Sequence, residues 1–340
     1  MSTSDSLPID SLFRPLRDMR ISVTDRCNFR CRYCMPAEIF GENYQFLPKP
    51  EILTLEEIAK LASVFCKLGV EKLRLTGGEP LLRRGMPELV KMLDAIPGER
   101  DLAMTTNGTI LPRYAKKLKA AGLQRVTISL DAIDPKIFSS MNGVGATPER
   151  VIEGIEAAQE YGLKVKVNTV IQKGVNEDQV LPLAEFAREK GVTLRFIEFM
   201  DTGNTNGWKL DQMVPYTEMI QTLHQHFPLE ALEPAHVGET ARRFRYKDFP
   251  DQEIGFITSV SNPFCSDCNR IRLSADGHLY TCLFASAGHD IKSLLRDGAT
   301  DAEMIAMIYN VWSVRDDRYS EIRTEIGDTH IKPEMSYIGG

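Results

Sequence analysis

Six of the seven cysteines in the 340-residue chain fall into two groups of three, and this spacing is where chemistry is most legible. Cys27, Cys31 and Cys34 form a C-x3-C-x2-C loop, while Cys265, Cys268 and Cys282 form a wider group far down the chain. Three thiolates can ligate three irons of a [4Fe-4S] cube and leave the fourth iron open to a substrate or cofactor. The competing reading of the first group is a zinc knuckle, which needs a fourth Cys or His nearby. Residues 19–49 hold no histidine and no other cysteine. For the second group a Cys3His zinc site using His278 or His289 stays open beside a second cluster. Cys66 stands alone in an apolar helical pattern and reads as a core thiol.

Cations occupy segments that otherwise read as strands. Arg270-Ile271-Arg272 follows Cys268 directly, and strand alternation puts both arginines on one face. Paired guanidinium groups suit an anionic, hydrogen-bonding substrate, the alternative being a solvated strand face. Lys164, Lys166 and Asn168 share one face of another strand, with Val165 and Val167 on the other. Parallel strands are usually apolar on both faces, so a polar inner face points to a ligand site. Arg20, Lys72, Arg74 and Arg195 also fall in strands. Burying such cations is costly without a counter-ion, which a triphosphate would supply. Gly143-x-Gly145 lacks the third glycine of a dinucleotide fingerprint and is discounted.

The elements that must position these residues alternate β and α through the first two thirds of the chain, which argues for a parallel sheet. Strands are expected at Met19 to Thr24, Lys72 to Thr76, Leu102 to Thr106, Arg125 to Leu130, Lys164 to Val170 and Thr193 to Phe199. Thr54-Leu55-Glu56-Glu57 is a capping box opening a helix to about Leu68, Thr147-Pro148 starts another, and Asn176 with Glu177 and Asp178 a third. Six units suggest an α/β fold of the partial, incomplete TIM-like (β/α)6 barrel type, with an open doubly wound sheet as the alternative. Arg270 to Ser274, Asp276-Gly277 and His278 to Leu283 read as a hairpin that folds Cys282 back toward Cys265 and Cys268. The expected organisation is a flexible N-terminus over 1–15, the barrel over 16–203, a C-terminal region carrying the second triad over 204–330, and a tail over 331–340.

Hydrophobic residues make up 43% of the chain and charged residues 26%, enough apolar surface for a full core. A net charge of -6 argues against a general nucleic-acid binder. The opening Met1-Ser2-Thr3-Ser4-Asp5 lacks a basic segment, and no 18 apolar residues run together, so the expectation is a cytoplasmic protein without membrane contact.

The C-x3-C-x2-C loop, with Tyr33 before its last cysteine, resembles the signature of the radical S-adenosylmethionine superfamily, and Thr76-Gly77-Gly78-Glu79-Pro80 resembles that superfamily's glycine-rich segment. With the second triad, the Cys-Asn-Arg-Ile-Arg-Leu segment and the terminal Gly339-Gly340, the chain from Arg20 to Gly340 is similar to the GTP 3′,8-cyclases of molybdenum cofactor biosynthesis. The resemblance implies two [4Fe-4S] clusters. The one on Cys27, Cys31 and Cys34 would bind and reductively cleave S-adenosylmethionine, and Tyr33, Gly78, Ser129 and Met200 would contact that cofactor. The one on Cys265, Cys268 and Cys282 would meet guanine. Arg20, Arg74, Thr105, Lys166, Arg270, Ile271 and Arg272 would surround GTP, with Lys72 and Arg195 as secondary candidates. Catalytic roles would fall to Arg270, Arg272, Gly339 and Gly340. An external one-electron reductant and a homodimer are further implications. The alternatives are a peptide-modifying radical enzyme with an auxiliary cluster and a non-catalytic iron–sulfur carrier.

Overall fold

Alternating short apolar strands and amphipathic helices build one twelve-stranded sheet in the computed structural model, which describes residues 7–325 and 331–339. The first six strands are β1 (Asp18–Ser22), β2 (Lys72–Thr76), β3 (Asp101–Thr106), β4 (Arg125–Ser129), β5 (Lys164–Ile171) and β6 (Thr193–Glu198). They pair in sequence order and all in parallel. Their connections carry α1 (Leu55–Lys67), α2 (Met86–Asp94), α3 (Ala115–Ala120), α4 (Pro135–Asn142), α5 (Pro148–Glu160) and α6 (Val180–Lys190). Ile58, Leu61, Val64 and Phe65 of α1 are buried at helical spacing against the sheet, the pattern expected of a core-facing helix.

Local chemistry sets the helix starts. Thr54 and Glu57 form the reciprocal capping box that the sequence predicts. Pro148 opens α5, but the Thr147 side chain makes no capping bond. Asn176 does not open a full helix. Its amide donates to the carbonyls of Asp131 and Val170, and a 3-10 turn over Glu177–Gln179 intervenes before α6.

The remaining chain contains α7 (Tyr216–His224), β7 (Leu229–Leu232), β8 (Arg242–Tyr246) and β9 (Glu253–Ile257). It continues with β10 (Arg270–Leu273), β11 (His278–Tyr280), β12 (His289–Asp290), α8 (Ile291–Arg296), α9 (Asp301–Ser313), α10 (Tyr319–Ile322) and α11 (Met335–Ile338). These strands extend the sheet at both edges, β9 lying parallel to β6 and β10 parallel to β1. The order runs β12-β11-β10-β1-β2-β3-β4-β5-β6-β9-β8-β7 and ends on β12 and β7, so the barrel is partial. The hairpin of β10 and β11 forms as the sequence indicates, with Arg272 opposite Tyr280. Residues 7–15 differ from the expected flexible N-terminus: Asp10 and Arg14 are buried and hydrogen-bonded. Among the described residues no helix is long and apolar enough to cross a membrane.

Candidate active site

Both cysteine triads open onto one cavity of about 760 Å³. Cys27, Cys31 and Cys34 enter it from the loop that leaves the C-terminal end of β1, and Cys265, Cys268 and Cys282 from the ends of β10 and β11. In the first loop the amides of Cys34 and Met35 donate to the Cys31 carbonyl at 3.0 and 2.7 Å, winding two ligands onto one turn. The glycine-rich segment docks that loop: the Gly78 amide donates to Thr24 O and the Glu79 amide to Arg26 O, both at 2.8 Å. A Cβ at Gly78 would lie 2.3 Å from Arg26 O, so only glycine permits this approach. Glu79 is fully buried and joins the end of β2 to that of β3, accepting from Thr106 Oγ1 at 2.8 Å and from the Asn107 amide at 2.7 Å. Burial pushes its carboxyl up to about 7. Tyr33 donates to Asp131 Oδ2 at 2.7 Å, while burial raises Asp131 to about 6.

The two triads lie in different electrostatic surroundings. Burial, reinforced by Glu79, pushes the Cys27 thiol up to about 11, and burial likewise raises Cys31 and Cys34. Burial also acts upward on Cys268, but Arg270 and Arg315 outweigh it and bring that thiol down to about 6. Arg270 Nη2 is 3.2 Å from Cys268 Sγ, and its guanidinium lies 5.0 Å from the Phe264 ring centroid. Each triad is a set of three half-buried thiols lining the cavity, a soft donor set that fits iron–sulfur ligation. Neither His278 nor His289 lines the cavity; His278 instead faces Asp276 at 3.1 Å, which removes both proposed fourth zinc ligands.

Strand register assembles the cations. Arg20 is aligned with Arg272 on one side and Arg74 on the other, Thr127 with Thr105 and Lys166, and Asn168 with Ser129 and Arg195. Adjacent strands therefore present one polar layer inward. Arg20, Lys72, Arg74, Thr105, Lys166, Arg195, Arg270 and Arg272 all line the cavity. Among the described residues the Nε atoms of Arg20, Arg74 and Arg270 are buried without a partner, the condition of donors prepared for an anion. Burial brings Lys72 and Lys166 down to about 8, Arg195 to about 9 and Arg272 to about 10, with neighbouring arginines adding to the effect.

Tyr33, Gly78, Ser129 and Met200 line the same cavity. Ile271 does not. The alternation that turns Arg270 and Arg272 inward sends the Ile271 side chain into the hydrophobic core, which leaves only its backbone for a substrate contact. Gly339 accepts a hydrogen bond from Arg272 Nη1 through its carbonyl. Its φ is +74°, and an added Cβ would stand 2.2 Å from Thr76 Cγ2. Tyr337 anchors this tail by donating to Asp276 Oδ2 at 2.5 Å, and Gly340 lies outside the described residues. Sequence reasoning missed Asp18 and Glu198. Asp18 shares the inward period of Arg20, so alternation could have found it. Glu198 is wholly buried at the end of β6 and accepts from the amides of Tyr216, Val260 and Ser261, fixing the approach to Cys265; no local pattern signals it.

Residues 21–187 match the radical SAM superfamily and residues 192–321 match Molybdenum Cofactor Synthesis C. The chain is 49% identical over 335 residues to the GTP 3′,8-cyclase of Staphylococcus epidermidis, covering 97% of this chain and 98% of that protein. It is 50% identical to the GTP 3′,8-cyclase of Acidothermus cellulolyticus, with the same coverage. In fold it is similar to Streptococcus suis SuiB bound to S-adenosylmethionine, at a TM-score of 0.63 and 15% identity, covering 92% of this chain and 68% of that one. The cavity and the full-length likeness agree, and the chain belongs to the GTP 3′,8-cyclase family of radical S-adenosylmethionine enzymes.

Proposed function

We infer that the cavity performs the family's cyclisation with its two triads in separate roles and the cationic strand layer holding the triphosphate between them. The chain is a GTP 3′,8-cyclase, forming (8S)-3′,8-cyclo-7,8-dihydroguanosine 5′-triphosphate in the first step of molybdenum cofactor biosynthesis. It carries two [4Fe-4S] clusters and uses S-adenosylmethionine. When bound, the cluster of the first triad and S-adenosylmethionine supply the one-electron chemistry that removes hydrogen from the ribose.

The observation that carries the residue assignment is the register that lines Arg272, Arg20 and Arg74 side by side in the cavity that both triads reach. Arg20, Lys72, Arg74, Lys166 and Arg195 hold the triphosphate by charge-assisted hydrogen bonds, and Thr105 adds a neutral contact. Arg270 and Arg272 orient the substrate beside Cys268, and Gly339 keeps Arg272 in place through its carbonyl. Tyr33, Gly78, Ser129 and Met200 form the S-adenosylmethionine side of the cavity. Holding both reactants in one enclosed space supplies orientation and excludes water. The functional division follows 16–203 for the barrel, 204–330 for the second-triad region and 331–340 for the tail. An external one-electron reductant, a cytoplasmic location and a homodimer without nucleic-acid or membrane partners complete the reading.

The test is anaerobic incubation of reconstituted protein with GTP, S-adenosylmethionine and reductant, followed by mass analysis of the nucleotide. The cyclised triphosphate, formed with 5′-deoxyadenosine, is expected; 5′-deoxyadenosine with unchanged GTP overturns the assignment.

A further inference from the structure

Asp10, Arg14 and Arg315 are buried together where the N-terminal segment meets the chain just beyond α9. Asp10 Oδ2 accepts from Arg14 Nε at 2.6 Å and from Arg315 Nη1 at 2.9 Å, while its Oδ1 accepts the amides of Leu12 and Arg14 at 3.0 and 2.8 Å. With that carboxylate between them, both guanidinium groups also bond the backbone of the second triad and Asp317, whose carbonyl accepts from Arg14 Nη1 at 2.8 Å and whose Oδ2 accepts from Arg315 Nε at 3.3 Å. Arg14 Nη1 donates to the Cys265 carbonyl at 2.7 Å. Arg315 Nη1 donates to the Cys268 carbonyl at 2.8 Å, and its Nε to the carbonyl of Thr281, the neighbour of Cys282, at 3.1 Å. Trp312 closes the assembly, its Nε1 donating to Arg14 O at 3.0 Å and its ring centroid lying 4.6 Å from the Arg315 guanidinium carbon.

We propose that Asp10, Arg14 and Arg315 are positioning residues that fix the mutual geometry of the three cysteine segments of the second triad. The inference rests on the reading that this triad holds a cluster. Cys265, Cys268 and Cys282 come from a short 3-10 turn, a strand approach and a strand exit, so no single regular element sets their separation. Bonding their backbones to two guanidinium groups on one carboxylate makes the three move as a unit. Arginine suits this work because its planar fork presents several donors in fixed directions, whereas lysine offers a point charge.

The experiment uses the full chain with Cys27→Ala, Cys31→Ala and Cys34→Ala, so that iron binds at the second triad, reconstituted anaerobically. Iron and sulfide content, the electron paramagnetic resonance spectrum of the reduced cluster and the rate of iron loss to a chelator are compared with and without Arg315→Gln or Asp10→Asn. Both substitutions are expected to speed iron loss by about 10- to 100-fold, the range typical when partners behind metal ligands are removed. Both should also alter the spectrum, with Arg315→Lys intermediate. In the complementary Cys265→Ala, Cys268→Ala, Cys282→Ala background the same changes should leave iron loss at the first triad unaltered. Unchanged rates and spectrum overturn the proposal, and so does equal acceleration in both backgrounds, which marks general destabilisation. If the second triad binds no iron with Asp10, Arg14 and Arg315 intact, the cluster assignment itself fails and takes the proposal with it.

Discussion

The first triad is a local device and the second is an assembled one. Cys27, Cys31 and Cys34 share one loop, wound by its own backbone bonds and docked on the glycine-rich end of β2. Cys265, Cys268 and Cys282 meet through a hairpin, with Arg14 and Arg315 bonded behind them from distant parts of the chain. Their surroundings differ in sign as well: Glu79 and Asp131 lie near the first group, Arg270 and Arg315 near the second. Net charge around a cluster shifts its potential, and acidic surroundings favour electron release. A cationic setting instead favours an anionic partner. The same kind of ligand set therefore sits beside carboxylates at one place and beside guanidinium groups at the other.

The sharpest way to break this comparison is to remove each triad in turn. Alanine at Cys27, Cys31 and Cys34 should abolish 5′-deoxyadenosine formation, whereas alanine at Cys265, Cys268 and Cys282 should spare part of it while cyclised product disappears. Equal loss in both triple variants would contradict the division of labour.

A smaller effect is expected at the tail, which meets the second triad's side of the cavity through Arg272. Deleting Gly339 and Gly340, or making Gly339→Val, should leave both clusters bound and lower product per 5′-deoxyadenosine by about tenfold, the scale of one charge-assisted hydrogen bond. The valine Cβ would meet Thr76 Cγ2 at 2.2 Å in a backbone conformation that valine disfavours. An unaltered ratio in both variants would show that the tail does no positioning.

The cationic layer between the triads should change GTP affinity rather than the yield of product per 5′-deoxyadenosine. Lys166→Ala is expected to weaken GTP binding by roughly 1.5–3 kcal/mol, or about 10- to 150-fold, with guanosine binding nearly unaffected. Burial takes Lys72 and Lys166 down to about 8, so each loses its proton in the free protein as pH rises through that value. A bound triphosphate favours the charged form. GTP affinity should therefore fall above pH 8, with proton uptake on binding, and calorimetry in buffers of different ionisation enthalpy measures both. The effect on folding has the opposite sign. Because the folded value lies below the ordinary 10.5, the cost of burying the charged lysines is fully present below about 8 and fades as pH rises toward 10.5. A GTP affinity independent of pH from 7 to 9.5 would remove these lysines from the triphosphate site.

Legibility in the sequence followed how local each cause was. β1 to β6 could be read because a parallel strand and its following helix carry their own periodicities, and the β10–β11 hairpin because Asp276-Gly277 marks its turn. β8 and β9 were hidden: Arg242-Arg243-Phe244-Arg245-Tyr246 carries three arginines near an edge, and its partners lie outside the β/α rhythm. Asp10 and Arg14 looked like terminal residues because their burial depends on Arg315, Cys265 and Trp312, which no nearby pattern announces. Within the site, alternation placed the Lys166, Arg270 and Arg272 side chains on the cavity, and the same rule turns the Ile271 side chain to the core.

The parallel pairing of β1 with β10 has a consequence for biosynthesis. Arg20 aligns with Arg272, so the strand bearing the first triad's loop completes one edge only when a segment from the far end of the chain arrives. At roughly 5–20 residues per second, translation takes on the order of 10–50 s to deliver β10 after β1. During that interval the outer edge of β1 has no native neighbour, and an unpaired edge is a template for wrong pairing. The nascent chain therefore passes through a stage in which the first triad's loop is already made while the sheet beside it is open on one side.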